Sequence, residues 1–239
     1  MSRTLCPARL GDDRDGARAV AGVSRWLAAA GALVGAAGLS LQYVILYGSM
    51  TAEGASPLAA TWRYFAYFTI LTNTFVTLVM ARAALRPEAR EGLNAPRVEL
   101  MAATSILFVC VVYNLLLASR WDPQGWQKVA DVIVHQVVPG ITALFWLSRP
   151  HGRLGWRDAV FAAVWPAGYA AYGLTRGALD GFYPYFFIDP TALSWAEIAR
   201  NLAGLMAAFV AGALLLAALS RALARQPQIR HRESPERRA

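Results

Sequence analysis

The residues with the greatest chemical capacity are Thr69, Asp131 and His135. A threonine hydroxyl is a weak nucleophile until a neighbouring base takes its proton. Histidine is the side chain that serves as that base near neutral pH. Asp131 and His135 stand four residues apart, so on a helix they share a face. A carboxylate at that spacing could fix the imidazole tautomer and raise its basicity. Thr69, Thr72 and Asn73 form a second polar face by their three- and four-residue spacing. Each residue also has a plainer reading. Threonine in a helix usually returns its hydroxyl to the preceding turn, and a lone buried histidine is more often a satisfied imidazole than a base.

Other chemistries fail on inventory. His135 is the one histidine inside an apolar run, with His151 and His231 in polar segments. No HExxH motif, P-loop, GxGxxG fingerprint or GxSxG elbow occurs. No metal, nucleotide or other cofactor is therefore expected. Cys6 in the polar N-terminal segment and Cys110 in an apolar run do not make a disulfide framework.

The elements that must position these groups are membrane helices. Of the 239 residues, 56% are hydrophobic and 16% charged, well below the roughly 25% charge of soluble domains. The net charge of +8 lies between long apolar runs rather than on a basic face, which argues against nucleic acid as a partner. Six apolar stretches, at about 26–48, 64–82, 98–118, 129–148, 157–175 and 196–219, have the length a bilayer demands. The fold class expected is all-α, a polytopic bundle of six transmembrane helices over residues 26–220. A basic cytoplasmic tail is expected at 1–25 and a disordered basic one at 221–239.

Orientation follows from the positive-inside rule. Eighteen arginines fall in the two tails and the 2–3 and 4–5 loops, against five basic residues on the other side. Both termini are thus expected in the cytoplasm, with the chain in the cell membrane. Small-residue patterns at Gly31 and Gly35, and at Gly204, Ala208 and Gly212, permit close helix contacts. Pro139 and Pro166 deprive the carbonyls of His135 and Ala162 of their helical donors, so kinks are expected in spans 4 and 5.

Placed by depth at about 1.5 Å per residue, the polar residues gather in the outer half of the bundle. Thr69, Thr72 and Asn73 enter from span 2, Asn114 from span 3, and Asp131 and His135 from span 4. Tyr172 and Arg176 ascend span 5, and Asn201 sits early in span 6. Ionisable groups in a membrane usually face a bundle interior or wet cavity. A polar pocket opening outward is therefore expected. The alternative leaves these groups as interfacial residues and interhelical hydrogen-bond partners. The segment from Arg176 to Trp195, with Tyr183-Pro184 and Asp189-Pro190 forcing extended or turn geometry, reads equally as a lid or an interfacial anchor.

Three runs, RYFAYFTILTN (Arg63 to Asn73), VIVHQVVP (Val132 to Pro139) and YGLTRGALDGFYPYFFIDP (Tyr172 to Pro190), resemble a bacterial six-helix membrane family labelled Pr-six-Pr. That family is distantly similar to the androgen-induced-protein family, whose members hydrolyse fatty acid esters of hydroxy fatty acids with an intramembrane threonine and histidine. The resemblance implies Thr69 as nucleophile, with Thr72 as its substitute, and His135 as base. It also implies that Tyr183-Pro184 is the counterpart of a Tyr-Pro-Phe segment.

Three functional classes are consistent with these residues. In a lipid-ester hydrolase Thr69 attacks, His135 takes the proton, Asp131 orients it, and Asn73, Asn114 or Asn201 stabilises the oxyanion. Thr72, Tyr172, Arg176 and Tyr183 complete the expected substrate contacts. A binding or transport protein would use the same pocket for a small amphiphile. A structural subunit would have a dry, packed outer half. The expected partner is a membrane lipid or lipid-like ligand; no signal specifies an oligomeric state.

Overall fold

A strip of glycines on the first long helix lets a second helix come close enough to begin the core. In the computed structural model, residues 8–149 and 154–230 are described, with side chains over 22–149 and 154–224. The expectations for Cys6, His151, His231 and the extreme ends of the chain lie outside the described residues. The α-helices are α1 (Ala8–Ala52), α2 (Pro57–Tyr64), α3 (Phe68–Leu85), α4 (Pro96–Val112), α5 (Gly125–Val132), α6 (Val138–Ser148), α7 (Trp156–Ala162), α8 (Val164–Asp180) and α9 (Trp195–Arg230). On α1, a Cβ at Gly31 would lie 2.0 Å from Met80 Cε, and one at Gly35 would lie 2.3 Å from Thr77 Oγ1. Only glycine allows that approach of α1 to α3. The stripe on α9 differs: nothing lies within 4 Å of a Cβ at Gly204 or Gly212.

Among the described residues every regular element is helical. Five stretches are long and apolar enough to cross a membrane: Gly22–Ala52, Phe68–Leu85, Pro96–Arg120, Gly125–Ser148 and Trp195–Ala224. Residues 157–175 do not form one continuous helix: the helix breaks at Ala163 into α7 and α8, at the place where a kink is expected in the fifth stretch. Pro166 supplies the reason, since it offers no N–H to the Ala162 carbonyl. The Ala163 N–H turns back to Val160 O at 3.1 Å and closes a tight turn there. The bounds of other elements also shift. Helix α1 is already formed at Ala8, and α9 continues to Arg230, inside segments expected as polar tails.

The second apolar stretch is interrupted near its start. Helix α2 is opened by Ser56, whose Oγ accepts from Ala59 N at 3.2 Å, with Pro57 as its first residue. It ends at Tyr64, and α3 begins at Phe68. Two tyrosines of α8 satisfy carbonyls in the break: Tyr172 Oη donates to Phe65 O at 3.0 Å and Tyr169 Oη to Ala66 O at 2.9 Å.

Two π turns shape the site. Tyr113–Leu117 follows α4, and Ile133–Val137 joins α5 to α6 just before Pro139. In them the Ala118 N–H returns to Tyr113 O and the Val138 N–H to Ile133 O. Such turns insert a residue into the helical register and often mark functional sites.

The principal core joins α1, α3, α4 and α6 through Ala28, Val76, Met80, Ile106, Val138 and Phe145. A satellite cluster of Ala159, Ala162, Phe209 and Ala213 fixes α7 against α9. At the end of the bundle remote from His135, Glu99 and Arg149 are buried together. Arg149 Nη2 reaches Glu99 Oε1 at 2.9 Å, and Arg90 Nη1 reaches Glu99 Oε2 at 3.3 Å. Arg149 also donates to Pro87 O and Ala89 O, which ties the α3–α4 connection to the end of α6.

Candidate active site

Thr69 lies in the first turn of α3, immediately after the break. Its Oγ1 is 3.4 Å from His135 Nε2. The two residues are 66 positions apart in sequence and come from different spans. His135 sits in the π turn between α5 and α6, and its Nδ1 faces Asp131 twice: Oδ1 at 3.1 Å and the main-chain O at 3.0 Å. Both of those atoms are acceptors, so they place the ring proton on Nδ1 and leave the Nε2 lone pair toward Thr69.

Tyr113 completes this arrangement and was not anticipated from the sequence. Its ring stacks on His135 with centroids 3.7 Å apart and planes 11° from parallel. Its hydroxyl donates to Asp131 Oδ2 at 2.6 Å. The carboxylate therefore accepts from Tyr113 on one oxygen and from His135 on the other. The ring of Tyr113 also holds the imidazole plane in position.

Asn73 is wholly buried. Its Nδ2 donates to Thr69 O at 2.9 Å and to Val134 O at 3.2 Å, bracing α3 against the turn that carries His135. Thr72 is also buried, and its Oγ1 accepts from Trp165 Nε1 at 3.0 Å, which ties α3 to α8. Neither donates toward the Thr69 hydroxyl.

Five expected pocket residues lie elsewhere. Asn114 is exposed on the flank of the bundle; its Nδ2 donates to Cys110 O, and its Oδ1 accepts from Gln136 Nε2 at 3.1 Å. Asn201 donates to Phe187 O at 3.1 Å and so anchors the α8–α9 connection. Tyr172 serves the α2–α3 break. Arg176 is 2% exposed; its Nε meets Asp180 Oδ2 at 3.3 Å, and its guanidinium lies 4.2 Å from the Trp62 ring. Tyr183 packs on Gly177, where a Cβ would come within 2.2 Å of its ring. The expected oxyanion roles of Asn114 and Asn201 are not carried by this geometry, because neither side chain lines the space beside Thr69.

That space consists of two cavities. The wider, of about 520 Å³, is lined by Gln42, Gln127, Arg120, Asp131, His135 and Thr69 among others. The narrower, of about 100 Å³, runs between α4, α8 and α9 and is lined by Phe108, Val112, Ala170, Leu205 and Met206. Thr69, Tyr113, Leu117 and Tyr185 line both.

Tyr185 brings the α8–α9 connection into the site. It is 8% exposed, and its hydroxyl accepts from the Thr69 N–H at 3.5 Å. Burial pushes its phenol up to about 12, against the lowering effect of hydrogen bonds from Thr69. The hydroxyl therefore keeps its proton at neutral pH and remains a donor. Pro184 also lines the wider cavity, and Phe187 and Ile188 the narrower. This segment covers the site rather than lying apart from it. Comparison with protein-family models, curated proteins and solved structures finds no match to this chain.

Proposed function

We propose that this chain is an integral membrane hydrolase of lipid esters, with Thr69 as nucleophile and His135 as its base. The observation that carries the reading is the line of contacts Thr69 Oγ1–His135 Nε2–His135 Nδ1–Asp131, at 3.4 and 3.1 Å. It has the nucleophile–base–orienter order of a hydrolytic triad, in which the third group holds the base in its reactive tautomer. The resemblance of the three sequence runs to a family related to threonine hydrolases of fatty acid esters supports the same assignment.

In the first step Thr69 Oγ1 bonds to the acyl carbon while its proton passes to His135 Nε2. The acyl carbon–alcohol oxygen bond then breaks, and His135 returns the proton to the departing alcohol. Water attacks the threonyl ester with His135 again accepting a proton. The acyl–threonine bond breaks, that proton restores the Thr69 hydroxyl, and a carboxylic acid leaves. Negative charge on the tetrahedral oxygen is met by the Tyr185 hydroxyl, whose oxygen accepts from the Thr69 N–H at the positive end of α3 and whose proton is left to donate.

The proposal includes six crossings of the cell membrane, with α7 and α8 up to about residue 175 together forming the broken fifth, and both termini in the cytoplasm. The division of basic residues, eighteen to five, supports this orientation.

The test is purified full-length protein in detergent micelles with a fatty acid ester of a hydroxy fatty acid. Release of free fatty acid is expected, abolished by Thr69→Ala and by His135→Ala. Full activity in both variants would overturn the mechanism.

A further inference from the structure

We infer that the two cavities divide the ester between them. The acyl chain lies in the narrow channel between α4, α8 and α9, the alcohol portion lies in the wide cavity, and Phe108 and Met206 set the acyl length accepted. The inference rests on the hydrolase reading and adds to it the direction in which a substrate is bound.

Three observations fix that direction. First, Thr69 lines both cavities, so the acyl carbon it attacks stands at their junction. Second, His135 and Asp131 line only the wide cavity. The leaving oxygen must take its proton from His135, and the incoming water must give a proton to the same nitrogen. Both therefore occupy the His135 side. The acyl substituent projects away from the leaving oxygen, which directs it into the other cavity.

Third, the two linings match the two halves chemically. The wide cavity carries Gln42, Gln127 and Arg120, which can solvate an alcohol and admit water. The channel is walled by hydrocarbon and ring faces, including Phe108, Ala170, Leu205 and Met206. An apolar lining of this kind favours methylene groups over polar ones. Phe108 precedes Tyr113 by five residues, roughly 7.5 Å along a helix, and is the channel residue of α4 most distant from it. Met206 is the channel residue farthest along α9.

The experiment compares two ester series on the full-length protein. One varies the acyl chain from four to sixteen carbons with a constant alcohol; the other varies the alcohol with a constant short acyl group. Met206→Trp is expected to lower kcat/KM for long acyl chains at least tenfold more than for short ones and to leave the alcohol profile unchanged. Gln42→Trp is expected to do the reverse. A Met206→Trp variant that alters only the alcohol profile, or neither profile, overturns the inference.

A second measurement does not depend on turnover. Thr69→Ala protein is irradiated with a fatty acid carrying a diazirine near its methyl end, and the labelled peptide is sequenced. Label on α4 or α9, around Phe108 or Met206, is expected; label on α1, around Gln42, overturns the assignment. Absence of hydrolysis of every ester, with label still on α9, overturns the hydrolase reading while supporting the channel as the acyl site.

Discussion

The most discriminating substitution is Asp131→Asn. In a histidine triad this exchange often costs about 10⁴ in kcat, because the amide presents a donor to the imidazole and reverses its tautomer. Here His135 Nδ1 has a second acceptor: the main-chain O of Asp131 at 3.0 Å, which the substitution leaves in place. The tautomer should survive, and the loss reduces to missing charge stabilisation of the imidazolium. Opposite charges about 4 Å apart interact by about 4 kcal/mol at an effective dielectric near 20, an upper bound. Since the amide dipole retains part of that, a cost of about 2–4 kcal/mol is expected, or about 30-fold to 10³-fold in kcat. The assay is release of a chromogenic alcohol from a medium-chain ester in micelles, with folding checked by thermal unfolding. A loss equal to that of His135→Ala would show that the carbonyl does not hold the tautomer. Unchanged kcat would show that the Asp131 charge has no part in stabilising the imidazolium. Tyr113→Phe provides a second probe of the same carboxylate, since it removes the 2.6 Å hydrogen bond to Oδ2. Hydrogen bonds to charged groups contribute about 1.5–3 kcal/mol, so a loss of about tenfold to 100-fold is expected.

Three further outcomes are expected from the packing. Glu99→Gln leaves Arg149 buried without its counter-charge and is expected to destabilise the fold by about 3–5 kcal/mol. The double variant Glu99→Met/Arg149→Leu should lose less, both measured by unfolding in mixed micelles. Gly35→Ala should lower Tm more than Gly31→Ala: its Cβ meets the short, branched Thr77, whereas the Cβ at Gly31 meets the terminal methyl of Met80, which can swing aside. Asp180 outside the membrane spans has its carboxyl held below its ordinary value. Burial opposes this, but hydrogen bonds from the Phe182 N–H, the Trp62 indole and Arg176 outweigh it. A depressed folded value means stabilisation that is fully present above the ordinary value near 3.8 and lost as pH falls through the folded one. Trp62 fluorescence, taken as the difference from Trp62→Phe protein, should therefore change on acidification below about pH 4, and Asp180→Asn should abolish that transition.

The fold was legible where a residue's consequence is local. Apolar length marks five continuous helices, and the missing N–H of Pro166 locates the break between α7 and α8 to within a turn. Gly31 and Gly35 mark the close approach of α1, although the same small-residue signal on α9 faces open space. Spacing allows a contact, but the partner's position decides whether one is made. The interruption at residues 65–67 was not legible. Nothing in the run from Trp62 to Phe68 breaks a helix by itself. The break is sustained by Tyr169 and Tyr172, about a hundred residues away, which bind the carbonyls it frees.

The site shows the same division between local and distant causes. Asp131 and His135 meet because their spacing is local, and depth alone brought Thr69 to the same level of the bundle. Tyr113 was missed in favour of its neighbour Asn114. Adjacent helical residues point about 100° apart, so only one of the two could face the cavity. Polarity favours the asparagine, which hydrogen-bonds to Gln136 on the exposed flank instead. Tyr113 takes the inner position because one side chain there both stacks on the imidazole and reaches Asp131 Oδ2. Both Tyr113 and His135 lie in π turns. Each such turn adds a residue to the helical register, so a projection at 3.6 residues per turn loses the facing of every residue beyond it. Depth along a membrane helix survives that shift almost unchanged, but azimuth does not. This difference explains why Asn114 and Asn201, placed by depth near the level of Thr69, do not line the space beside it.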